Sequence, residues 1–574
     1  MNLSADIKRL PRKYLPPDFA ITKWEDLEPY LQELESRSIT SVSELEAWLK
    51  DASEVEAVIS EEVCWRQIRM TCDTESKELE QAFNYFMMEI QPRIQPYSDQ
   101  LNRKLVENPL TSKLDDSKYF TYLRNVRKNI ELFRKENIPL QAELNVMQQQ
   151  FGVIAGKMTI QVDGREYTLQ QAAKFLEDPD RKLREEVYRK INERRLQDKN
   201  ELNHLFSTLL QKRNQVALNA GFSNYRDFRF LELGRFDYTS EQCFQFHEAV
   251  KLHVMPLVDE VYDLKRKKLG LDVLRPWDIE AEPEGVQPLR PFKTGEELID
   301  KTIRCFEKLE PYFAGCLRRM KEMGRFDLES RKGKAPGGYN CPLAETGAPF
   351  IFMNAAGQLD DVITMVHEGG HAIHSFLTHE LELNGFKEYP TEIAEVASMA
   401  MELFSMDHWD VYFDDQEELK RAKEQQLERM ITIFPWIAAI DKFQHWIYEH
   451  PDHTEEQRSD EWIKILEEFT SKLIDFSGLE EFRRYAWQRQ LHLYEVPFYY
   501  IEYGIAQLGA IGLWQQYKQN PSLAIGNYIK ALHFGGMKTL PELFQAAGLP
   551  FDLSPEYIRN LMQFVKEELD QLNK

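Results

Sequence analysis

The sequence predicts a mainly α-helical protein with a small β-sheet beside its one chemically loaded stretch, and three observations carry this. Apolar residues recur at helical spacing from Trp24 to about Phe151 and again from Phe404 to the C-terminus. Strand-like runs are confined to Met158–Leu169 and Ala348–Asn354. The composition is that of a globular chain: 574 residues, 43% hydrophobic and 29% charged, long enough for two or three packed units. A net charge of −23 argues against a nucleic-acid partner. No run of 18 apolar residues predicts a membrane span, and the basic N-terminal stretch lacks the apolar segment of a secretory signal. The six cysteines are scattered without a C-x-x-C pair, which indicates neither a cysteine zinc site nor a disulfide framework. They read as small buried hydrophobes in a reducing compartment, and the expected location is the cytoplasm.

Taken in order, the first helix places Leu27, Tyr30, Leu31 and Leu34 on one stripe, and helical segments continue near 42–60, 60–108 and 117–150. Phe83, Tyr85, Phe86, Met87 and Met88 read as core. Residues 158–169 alternate apolar and polar around Asp163-Gly164, a hairpin signal. Helices resume through Arg181–Ala217, where interleaved charges describe a solvated face. The proline-rich stretch from Leu274 to about Pro291 is the longest irregular segment, either a lid or a packed connection. Next come a glycine-rich turn, residues 333–341, and the strand ending at Asn354, placing a sheet near 335–355. An edge strand there can pair with an extended peptide or simply support the next helix. We expect two regions: residues 1–190, helical with the hairpin, and residues 191–574, carrying the chemistry.

That chemistry lies between Gln358 and Phe404. His367-Glu368-Gly369-Gly370-His371 is an H-E-x-x-H pattern within helical apolar spacing, after the helix-start residues Asp360 and Asp361. Histidines four apart share one helix face and can offer two nitrogens to one Zn²⁺. Glu368 is turned about 100° away and suits a general base acting on water at the metal. Two mid-helix glycines cost about 1 kcal/mol each relative to alanine, so bare backbone there implies close approach by another segment or a ligand. A second helical pattern begins at Thr391 and carries Glu392, Glu395 and Glu402 on one face. Spacing alone leaves open whether Glu392 or Glu395 completes the metal site. Farther on, residues 492–504, HLYEVPFYYIEYG, set Tyr499, Tyr500 and Tyr503 close together after Pro497. They read either as aromatic core or as donors to a developing oxyanion. His374, one turn after His371, either borders the site or packs in the helix interface.

These residues resemble the oligoendopeptidase F and thimet oligopeptidase family of zinc peptidases. The family carries H-E-x-G-H and, some 28 residues on, a glutamate like that in the AEVAS segment at 394–398. Residues 219–238 and the segment beginning at Leu274 are similar to it too. The resemblance picks Glu395 as third metal ligand, leaves Glu392 and Glu402 as supporting groups, and points to His492, Tyr503, Tyr499 and Tyr500 as groups facing the metal. Ala397 stands where part of the family has proline. The implied fold is an elongated, multi-helix, zincin-type body with a deep substrate channel and one Zn²⁺ per chain. The implied substrates are oligopeptides, with no nucleic-acid or membrane partner; oligomeric state is left open. The rivals are a zinc carboxypeptidase on a similar helical scaffold and a non-catalytic peptide-binding protein. Ligand type alone does not separate Zn²⁺ from Mn²⁺ or Co²⁺.

Overall fold

A computed structural model describes residues 4–7, 9–331, 333–335 and 337–572. Pro336 of the glycine-rich turn and residues 1–3 and 8 of the basic N-terminal stretch lie outside the described residues. Helices dominate, and the described strands are five short ones. Two hydrophobic cores organise the chain. The smaller gathers Leu27, Leu31, Trp48, Phe86, Tyr119 and neighbours from the N-terminal helices, and it also takes in Leu383 and Phe386. The larger takes in Ile7 and then runs from Leu144 to Leu569, enclosing the H-E-x-x-H stretch.

The predicted stripe on the first helix, Trp24–Ser36, buries Leu27, Leu31 and Leu34. The Phe83–Met88 cluster divides instead: Phe83 and Phe86 are buried, while Tyr85 and Met88 are exposed. A π-helical turn at Phe86–Ile90 changes the helical phase there, which a constant period of 3.6 does not anticipate. The hairpin forms from β1 (Thr159–Val162) and β2 (Arg165–Thr168). Asp163 and Gly164 both adopt positive φ, as a two-residue hairpin turn of this type requires. Ile160 and Val162 pack on Val187 and Ile191 of the helix Arg181–Gln197.

The sheet has three strands, β3 (Phe326–Glu329), β4 (Tyr339–Cys341) and β5 (Phe350–Ala355), in the order β3-β5-β4. β3 runs parallel to β5 and β4 antiparallel to it. The sequence reading missed β3, because four residues are too few to show an alternation. The stretch after Leu274 is a packed connection: Asp278 is fully buried, and Arg181 and Arg184 reach its carboxylate at 2.7 and 2.8 Å. Arg184 is thus buried too, an exception on a helix read as solvated.

Four helices build the site. The motif helix is Leu359–Thr378 and the acidic helix Thr391–Ser405. The long helix is Gln416–Glu449 and the tyrosine helix Tyr500–Gln519. The Asp361 carboxylate accepts from the backbone N–H groups of Ala356 and Gln358, each at 2.8 Å, and so starts the motif helix. Between the motif and acidic helices, a 3₁₀ turn at Asn384–Phe386 seats Phe386 in the N-terminal core. The N-terminal region therefore holds the connection that sets how these two helices meet. Among the described residues no helix is long and apolar enough to cross a membrane.

Candidate active site

The motif helix presents His367 and His371 one turn apart, with ring centroids separated by 5.0 Å. For the acidic helix to reach them, the two backbones must nearly touch. Gly370 permits this: a Cβ there would lie 2.5 Å from the Ala397 carbonyl oxygen and 2.6 Å from Ser398 Cα. A Cβ on Gly369 would meet the Phe306 ring at 2.8 Å. The expected close approach is thus that of another segment, the acidic helix itself.

At this contact the Glu395 carboxylate faces both rings. Its Oε2 lies 3.4 Å from His367 Nε2 and 3.8 Å from His371 Nε2. One donor atom from each of the three residues falls within 4.8 Å of the others. Glu392 is directed elsewhere and accepts from the Tyr238 hydroxyl at 2.7 Å. Glu402 sits behind His367, with Oε1 2.7 Å from Nδ1, and its Oε2 accepts from Gln426 at 2.8 Å. That contact occupies Nδ1 and leaves Nε2 to turn towards Glu395.

Electrostatics follow from burial and neighbours. Burial pulls the Glu395 carboxyl up, but His367, His371 and the Tyr499 hydroxyl outweigh it and hold it down at about 2. Burial favours neutral imidazole at His367, yet Glu395 and Glu402 reverse this and raise it well above the usual range. His371, with less compensation, is pushed down to about 4 by burial. These three groups suit a divalent cation: two imidazole nitrogens and a carboxylate oxygen already converge, and both imidazole side chains keep 19% exposure. Glu368 does not join them. The residue is 7% exposed, and its buried Oε2 has no hydrogen-bond partner. Burial lifts it to about 7, with Glu395 and Glu402 adding to the rise and His367 opposing it.

The tyrosine segment faces the same place, and its members differ. The Tyr499 hydroxyl donates to Glu395 Oε1 at 2.7 Å, so this phenol orients a carboxylate. The Tyr503 hydroxyl lies 3.4 Å from His492 Nε2. Tyr500 packs its ring edge-on against His492 and Tyr503, at centroid distances of 5.0 and 5.5 Å. Burial raises the Tyr503 phenol well above its usual value, so it stays protonated and can donate. Burial also lowers His492 to about 4, leaving it neutral near pH 7.

Which His492 nitrogen carries the proton is set by two residues the sequence reading passed over. The Trp436 indole N–H donates to Gln490 Oε1 at 2.9 Å, and an indole can only donate. The amide nitrogen of Gln490 must then face His492 Nδ1, 2.7 Å away, which accepts. The imidazole proton is left on Nε2, facing Tyr503. No local pattern marks Gln490 or Trp436, because they meet only in the fold. His374, by contrast, stacks on Tyr389 at 3.6 Å and is 1% exposed; it is a packing residue.

Two family patterns match the chain: Peptidase M3 N-terminal domain over residues 17–133 and Peptidase family M3 over residues 174–563. The second covers more than half of the sequence, and the chain belongs to peptidase family M3. Among curated relatives, an oligoendopeptidase F homolog of Borreliella burgdorferi is 24% identical over 412 residues, 70% of this chain and 67% of that protein. Oligopeptidase PepF of Bacillus subtilis is 24% identical over 402 residues, 70% of this chain and 58% of that protein. The matched region thus spans about two thirds or less of these relatives' length. PZ peptidase A, solved with an inhibitor, superimposes with a TM-score of 0.90 at 25% identity, over 97% of this chain and 99% of that one.

Proposed function

We propose that the protein is a metallo-oligopeptidase that cleaves internal bonds of short peptides, with Zn²⁺ held by His367, His371 and Glu395 and with Glu368 as general base. The observation that carries this reading is the convergence of those three donors beside a buried carboxylate with a free oxygen. When bound, the ion supplies Lewis acidity, which polarises a carbonyl and makes an adjacent water more acidic. Glu368 takes the proton from the attacking water and returns it to the leaving amine. Tyr503 and the Nε2–H of His492 donate to the oxygen that gains negative charge. Tyr499 and Glu402 position Glu395 and His367, while Tyr500 packs the donor pair. The outer edge of β4, whose Asn340 amide donates to the Glu368 carbonyl at 3.2 Å, is suited to hold an extended peptide backbone. A cytoplasmic location belongs to the same reading and fits a substrate pool of short peptides.

The test uses fluorogenic oligopeptides blocked at both ends, with and without a chelator, followed by Zn²⁺. Internal cleavage that the chelator abolishes and Zn²⁺ restores supports the reading. Cleavage restricted to peptides with a free C-terminus would instead make the protein a carboxypeptidase. Binding without turnover would leave only a peptide-binding role.

A further inference from the structure

A second group of donors lies outside the active site, between the helix Ser240–Ala249 and the long helix. Cys243 and His247 stand one turn apart on the first of these, Asp441 and His445 one turn apart on the second. All four are 0–1% exposed. Donor atoms of Cys243, Asp441 and His445 lie within 4.8 Å of one another. His247 Nε2 is 2.8 Å from Asp441 Oδ2, and His445 Nε2 is 3.4 Å from the same oxygen without forming a hydrogen bond with it. Asp441 Oδ1, His247 Nδ1 and both ring nitrogens of His445 have no hydrogen-bond partner. So many unsatisfied polar atoms in one enclosed place are costly, and each needs an explanation.

The surroundings make the cost greater. Phe230, Phe244 and Phe498 pack edge-on against the His445 ring, and Phe244 and Phe246 lie against His247. A carboxylate in such an apolar shell needs a compensating charge. A divalent cation with one thiolate and one carboxylate is neutral as a unit and gives the orphaned donors a partner. Thiolate, imidazole and carboxylate in a closed, buried set are the donors of a structural zinc site.

We propose that Cys243, Asp441 and His445 hold a second, structural zinc ion, with His247 orienting the Asp441 carboxylate. The site ties the Ser240–Ala249 helix to the long helix at a point that supports the active site. Gln444, beside His445, accepts from the backbone N–H of Phe498 at 2.6 Å. Phe498 has φ 65°, unusual for a residue with a side chain, and it immediately precedes Tyr499. A clamp on the long helix therefore steadies the turn from which Tyr499, Tyr500 and Tyr503 are presented.

The test exploits the thiolate, because the catalytic donors include no cysteine. The protein is produced in medium supplied with Co²⁺ and its near-ultraviolet spectrum recorded. A thiolate-to-cobalt charge-transfer band is expected in the wild-type protein and in His371→Ala, and its loss is expected in Cys243→Ser. Zinc-grown protein is expected to carry two equivalents of metal, one of them retained after brief chelation that abolishes turnover. Wild-type protein that shows no such band and carries metal only at a site lost in His371→Ala would overturn the proposal, leaving an Asp–His polar cluster. The band reports the second site alone, so this outcome is separate from any failure of the catalytic reading. It is read on the unaltered protein and does not depend on a variant that folds.

Discussion

The two donor clusters of this protein are made by the same local device and differ in what surrounds them. At the active site a pair of histidines one turn apart meets a carboxylate from the facing helix. At the buried site a Cys–His pair meets an Asp–His pair in the same way. The difference is access: the first pair of imidazoles keeps 19% exposure beside Glu368 and two phenols, whereas the second group is closed over by phenylalanine rings. A metal at the first can keep a position for water and substrate, and a metal at the second cannot. One turn of helix thus yields either an open or a closed set of donors, according to whether the packing leaves one side of them free.

The sharpest way to break this contrast is Glu368→Gln. It should lower kcat by about 10²–10⁴-fold while both metals stay bound, measured by peptide turnover alongside elemental analysis. Retained turnover would remove Glu368 from the mechanism. Next in size, Tyr503→Phe should cost about 10²–10³-fold in kcat with little change in KM, because its donor acts on charge that develops during reaction. A change confined to KM would make Tyr503 a substrate contact. Asp441→Asn tests the other side. Breaking a buried charged cluster should destabilise the fold by about 3–5 kcal/mol in chemical denaturation. Unchanged stability would count against a structural role. Glu402→Gln should weaken the active-site metal about 10–100-fold and leave the buried one untouched, as competition with a graded chelator would report.

The smallest effect concerns pH. Burial lifts Glu368 to about 7 without an ion, and a nearby dication draws it down. A general base works deprotonated, so kcat/KM should rise with pH through a limb lying below 7. That limb should vanish in Glu368→Gln if residual turnover can be followed; its persistence there would assign it to another group.

Much of the candidate site was legible because its residues stand at helical spacing. His367, Glu368 and His371 are read from five consecutive residues, and the glycines between them announced a close approach that Gly370 makes with Ala397 and Ser398. The Asp163-Gly164 hairpin was legible for a similar reason, since its turn needs two positive φ values that few residues accept. The buried cluster was not. A search for C-x-x-C pairs passes over Cys243, whose partners lie about 200 residues away on another helix. Gln490 and Trp436 were equally silent, since each is an ordinary polar or aromatic residue until a fold brings an indole donor, an amide and an imidazole into line.

Periodicity and short-range spacing, then, determined the helical class and the placing of His367 and His371 on one helix face with Glu368 turned away from them, because a helix fixes the relation of residues three and four apart whatever surrounds it. Spacing left Glu392 and Glu395 as alternatives and the family resemblance picked Glu395; the tertiary structure turns Glu395 towards the histidines and Glu392 towards Tyr238, sets Glu402 behind His367, and engages Tyr499 with Glu395. Those choices depend on the angle and distance at which helices meet. Packing sets that angle, and here a glycine and a 3₁₀ turn anchored in the N-terminal core define it.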